Sequence, residues 1–263
     1  MRRVVTITDV TRMRQGRVCL AGVDAQGNSV RPVLPEAGIW EGFLTSLRGQ
    51  VIRPFSRLDL DLGEPTPDPP HTEDRPFNPW TARWVEQLDD AEGFALLGRI
   101  LDPSVASIFG TPIVGDHGQY VLRGKGRRSL GTIRPRSIDG VTYEPGEEGD
   151  GKTRVQFTDA AGASYRLSVT DLTWRLFCAV KRRGVRDDED MAERLHRLLA
   201  RRPCVLRIGL ARGWKEHPDR CHLQITCVAT RPSYTAGKTH RDWAADLPAQ
   251  SVMESPPDPT TPG

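Results

Sequence analysis

Glycine and proline interrupt this chain so often that few segments can run long as regular structure: 25 Gly and 21 Pro in 263 residues. Each Gly inside a helix costs about 1 kcal/mol and each Pro about 3, so many turns and short elements are expected rather than long helices. Between the breaks, apolar and polar residues alternate with the two-residue period of strands. RVVTITDV (3–10), GRVCLAGVD (16–24) and SVRPVLP (29–35) read as strands, the last two joined by the turn AQGN (25–28). Pro32 confines the third to a sheet edge or a strand end. QVIRPFSRLDLDLG (50–63) sets Leu58, Leu60 and Leu62 against Asp59 and Asp61.

The second half repeats the pattern. Residues 119–145 read as short strands with Gly breaks. Residues 152–177 read as a hairpin around AAGA followed by a further element. Residues 204–214 and 221–231 read as two strands joined by a polar loop. DEDMAERLHRLLARR (188–202) is the clearest helix, with an acidic start and a basic end. A short helix is expected over 36–47. Two more are expected between about 79 and 101, from the spacing of Trp80, Trp84, Val85 and Leu88 and then Phe94, Leu97, Ile100 and Leu101. EPTPDPPHTEDRP (64–76) holds five prolines in thirteen residues and reads as a linker or an exposed loop.

Strands that do not alternate strictly with helices argue against a doubly wound sheet. The expected fold is mainly β with helical inserts (α+β), built as two small β-barrels. The first would span 1–110 and the second 111–235. Residues 236–263 would form a disordered tail, since the last eight residues hold four prolines.

The net charge of +3 hides an uneven distribution. Residues 1–120 carry a net −4, residues 121–220 a net +8, and residues 221–263 a net −1. A basic middle raises the expectation of a polyanionic partner. There is no apolar run long enough to span a membrane and no signal-peptide pattern, so no membrane partner is expected. Five scattered cysteines fit free thiols in a cytoplasmic protein.

No phosphate-binding glycine loop, zincin motif or Cys-x-x-Cys pair occurs. His217, Cys221 and His222 form the densest His/Cys group, but their spacing matches no established ligand set. No catalytic residue, metal or cofactor is therefore expected. The basic runs carry more information. VLRGKGRRSLGTIRPR (121–136) offers Arg123, Lys125, Arg127, Arg128, Arg134 and Arg136, with Gly124, Gly126 and Gly131 to admit a phosphate. A second run, Lys181, Arg182 and Arg183, follows the aromatic stretch Trp174–Phe177. Arg212, Trp214 and Lys215 sit on the loop between the last two strands, where an exposed Trp between cations would stack a base.

Three stretches together resemble the dual OB-containing domain family of bacterial conflict-associated proteins. They are the opening strand with GRVCLAGVDAQGNSVRPV (16–33), WRLFCAV (174–180) and GLARGWKEHPDRCHLQITCV (209–228). The chain departs from the family pattern at Ser29, where an aromatic is usual, and at Gly213, where a Pro is usual. The resemblance implies two OB-like barrels and a nucleic-acid-binding role without catalytic residues. The expected function is a non-catalytic nucleic-acid-binding module that contacts single-stranded or structured DNA or RNA through its basic second barrel. The alternative is an adaptor that scaffolds a partner effector enzyme. One groove shared by both basic runs would be the signature of the first.

Overall fold

The computed structural model describes residues 1–34, 38–115, 119–146 and 150–248. The chain is mainly β and forms two curled, barrel-like sheets. The first comprises β1 (Arg2–Arg12), β2 (Arg17–Val23), β3 (Ser29–Val33), β4 (Ile39–Trp40), β5 (Ser56–Asp61), β6 (Asp74–Pro76) and β7 (Arg83–Gln87). Its spatial order is β6-β3-β2-β1-β5-β7, with β4 beside β2.

The second sheet holds β8 (Tyr120–Leu122), β9 (Leu130–Ile133), β10 (Ser137–Pro145), β11 (Gly151–Thr158), β12 (Ser164–Val169), β13 (Cys204–Leu210) and β14 (Arg220–Thr230). They run β10-β11-β12-β14-β13-β9, with β8 beside β14. Only β3–β6 and β12–β14 pair in parallel among the described strands.

Among the described residues the connections hold α1 (Asp90–Arg99), α2 (Val105–Phe109), α3 (Leu172–Arg182) and α4 (Asp188–Ala200), and α5 (His240–Ala245) follows β14. Each begins where its sequence supplies an acceptor for free N–H groups: Asp89, Ser104, Asp171, Asp187 and Thr239 are the caps. α4 lies along β10, where the His196 ring contacts the Ile138 carbonyl.

The two sheets share one continuous apolar core, which runs from Val5 and Ile7 through Phe109 to Trp174 and Ile225. Strand alternation records the overlap. β1 alternates to Ile7, then a register shift falls between Ile7 and Asp9, and Thr8, Asp9, Val10 and Thr11 are all buried. There the strand passes beneath β14 and α3. β13 is buried along its whole length, Arg207 included. Its guanidinium reaches Asp9 at 3.0 Å and the Thr132 hydroxyl at 2.8 Å. The Thr8 and Thr226 hydroxyls donate to the same carboxylate.

Four expectations are corrected. Residues 79–88 do not form a helix: Pro79–Thr81 is a 3-10 turn and Arg83–Gln87 is β7, paired with β5. The spacing of Trp80, Trp84 and Leu88 satisfies a two-residue period as well as a helical one, and sheet pairing decided it. Helix over 36–47 reduces to a 3-10 turn at Glu41–Thr45. The proline-rich segment is not an exposed linker. In its second half His71, Glu73 and Asp74 are buried, and Asp74–Pro76 pairs with β3. The tail is ordered as far as α5, because Trp243 packs edge-on against Phe177, 5.3 Å between ring centres. Residues 249–263 lie outside the described residues.

Candidate nucleic-acid interface

The basic run 121–136 is committed to structure in part. Arg123 pairs with Asp68 at 3.0 Å. Arg128 pairs with Asp102 and donates to the Ile108 carbonyl at 2.6 Å. Among the described residues, Lys125, Arg127, Arg134 and Arg136 are exposed and carry no ion pair. The glycines divide in role. Gly131 is a packing requirement, since a Cβ there would lie 2.6 Å from Ile108 and Asp102. Of Gly124, Gly126 and Gly131, only Gly124 (φ +78°) is both left-handed and open.

The second basic run sits elsewhere. Lys181 lies over the Phe177 and Trp243 rings, Arg182 pairs with Asp188, and Arg183 donates to the Asp246 carbonyl. α3, which carries this run, packs on the buried side of β11, where the Trp174 indole donates to the Thr153 hydroxyl at 2.8 Å. Arg154 and Gln156 point to the other side of that strand. Neither run supplies a lining residue of the groove on the outer face of that strand.

A groove of about 1310 Å³ does exist, on the outer face of β11, β12, β14 and β8. Alternation builds it. β11 turns Arg154 and Gln156 outward, β12 turns Arg166 and Ser168 outward, and β14 turns Arg220, His222 and Gln224 outward. Register aligns them: Gln156 opposes Arg166, Arg154 opposes Ser168, and Ser168 sits beside Gln224. Arg154 also faces Glu144 at 3.7 Å, an exposed pair of little energetic weight. Among the described lining residues there are three arginines and two histidines and no carboxylate.

One end of the groove is aromatic. The Trp214 and His222 rings stack at 5.0 Å and 7°. Tyr120 lies 5.5 Å from His222, and the Arg220 guanidinium sits 5.0 Å over the Tyr120 ring. Burial, then Arg220 and His217, hold the His222 imidazole below its ordinary pKa, so the stack is neutral at neutral pH. Cys221 faces the core instead, so strand alternation separates it from His217 and His222.

Trp214 is thus the one expected site residue that lines the groove. Arg212 and Lys215 share its loop but not the lining. Arg212 turns toward the first sheet, pairing with Asp74 and approaching Asp68 at 3.9 Å. The loop's root is held from the same side: the His71 ring meets the Leu210 carbonyl at 3.1 Å. Glu73 accepts from the backbone N–H groups of Ser129 and Leu130. The proline-rich segment of the first sheet therefore fixes the loop that presents Trp214.

No protein-family model matches the sequence, and no curated protein matches it.

His71 provides a stability test of this junction. Burial first, then Arg31 and Arg212, push its pKa from 6.5 down to about 3, so the ring is neutral and its Nε2–H donates to Leu210. The unfolded chain takes up a proton at higher pH than the fold does. Stability from neutral His71 is complete above pH 6.5 and drains as pH falls toward about 3. We expect His71→Gln to lose about 2 kcal/mol less than wild type between pH 7 and 5, at roughly 1.4 kcal/mol per pH unit. Urea midpoints at the two pH values measure it; equal losses would refute the assignment.

Proposed function

We propose that this protein is a non-catalytic nucleic-acid-binding module whose binding surface is the outer groove of the second sheet. The observation that carries this reading is the groove's composition: Arg154, Arg166 and Arg220 converge on it with no carboxylate among the described lining residues. Phosphates need such cations, and contact with them releases counterions from the polymer. The resemblance to the dual OB-containing family supports the same reading, and five free cysteines support a cytoplasmic setting. Lys125, Arg127, Arg134, Arg136 and Lys215 extend the positive surface beyond the groove and would add non-specific attraction.

The test is the salt dependence of oligonucleotide binding. Three phosphate contacts give a slope of log K against log[salt] near −2 for a single strand, about −0.7 for each contact. The double variant Arg154→Gln/Arg166→Gln is expected to flatten that slope by about 1.4. Binding that is insensitive to salt, or a slope the double variant leaves unchanged, would overturn the proposal.

A protein partner is the second reading. What favours it is not the proline-rich segment but Trp80, which is 84% exposed on the first sheet, 5.9 Å from Trp40. An exposed aromatic beside the edge strand β7 suits an adaptor contact with an effector enzyme. Trp80→Ala would abolish such a contact and leave oligonucleotide binding intact.

A further inference from the structure

We infer that the groove takes an unpaired strand, with one base stacked on the exposed part of the Trp214 indole, beside the His217 ring 6.2 Å away. This rests on the nucleic-acid reading above and names its ligand class.

Trp214 is half exposed, whereas the indole of Trp174 is fully buried. One face of its ring is already covered by the parallel His222 imidazole, which Tyr120 and Arg220 back in turn. Such a ladder holds the indole at a fixed tilt, and pre-set orientation lowers the ordering cost of binding. Indole and base are both flat π-systems, and every base offers a π-face, so this contact tolerates any sequence. In a duplex those faces are hidden between neighbouring pairs, and the platform has nothing to stack on.

The rest of the groove suits the same ligand. Gln156 and Gln224 project from its floor, and an amide both donates and accepts, as the edges of unpaired bases require. Ser168 lies between Arg154 and Gln224 across the strands, so cation, hydroxyl and amide form one row. The volume of about 1310 Å³ exceeds the ~300–1,000 Å³ usual for small-ligand pockets, which fits a polymer segment.

The experiment compares fluorescein-labelled dT12, rU12 and a dA12·dT12 duplex by anisotropy, using the full chain and its Trp214→Ala and Trp214→Phe variants. Single strands are expected to bind at least tenfold more tightly than the duplex. Trp214→Ala is expected to lose about tenfold on single strands only, and Trp214→Phe to retain most of the affinity. The dT12 and rU12 arms separate DNA from RNA. Duplex binding as tight as single-strand binding, or an unchanged Trp214→Ala, would overturn this inference while leaving the salt-dependent groove standing. Failure of all three probes to bind would overturn both. Trp214 is half exposed, so thermal unfolding of the variants should match wild type and separate lost stacking from lost folding.

Discussion

Asp9→Ala is expected to destabilise the protein by about 3–5 kcal/mol, the cost of leaving a buried charge without its partner. Both members of the pair are closed to water: Arg207 and Asp9 are each 1% exposed. The aspartate gathers Arg207, Thr8 and Thr226, drawing one strand of the first sheet and two of the second onto a single carboxylate. Removing it leaves the guanidinium only the Thr132 hydroxyl and takes an acceptor from two further hydroxyls at once. Replacing both ions behaves differently, because two apolar side chains of similar size need no partner. Asp9→Leu/Arg207→Met should recover more than half of the loss. Chemical denaturation of the three proteins decides it; a double variant no more stable than the single one would refute the pairwise account.

Gly213→Ala should detach the Trp214 loop without disturbing the core. A Cβ at Gly213 would collide with the backbone carbonyl of Pro218, which cannot swing aside as a side chain can. The loop is closed by a bridge between Trp214 and His217, so spreading Gly213 from Pro218 pulls the indole off His222. We expect a stability cost of about 1–3 kcal/mol, typical of overpacking. Single-strand affinity should drop about tenfold, the worth of one stacked base. Emission assigned to Trp214, by subtraction of the Trp214→Phe spectrum, should move toward that of a solvated indole. Unchanged emission would mean that the loop absorbs the methyl group.

Most strands were legible because one face of each is buried and the other wet, and alternation shows in the letters. Helices were legible where a cap preceded an apolar stripe, as at Asp187 before Met191 and Leu195. What failed was context. The letters of residues 64–76 look solvated, yet the side chains of His71, Glu73 and Asp74 find their partners far along the chain, and no local pattern announces partners 43 to 139 residues away. The site was half legible for a related reason. Cations were sought in runs, where Arg123, Arg128 and Arg182 turn out to serve neighbouring carboxylates. The groove's arginines are isolated in sequence and meet only through pairing. The signal was present: once the hairpin around AAGA is read, Arg154, Gln156 and Arg166 are its outward residues.

The seat of Arg207 also bears on modularity. A fragment holding only the second sheet would carry a bare cation in its interior and a recognition loop with its root unfastened. A fragment holding only the first would carry the matching anion and nothing to grip. The smallest piece of this chain able to present Trp214 in its native pose spans both sheets. The two halves are therefore expected to fold as one unit rather than as separable modules.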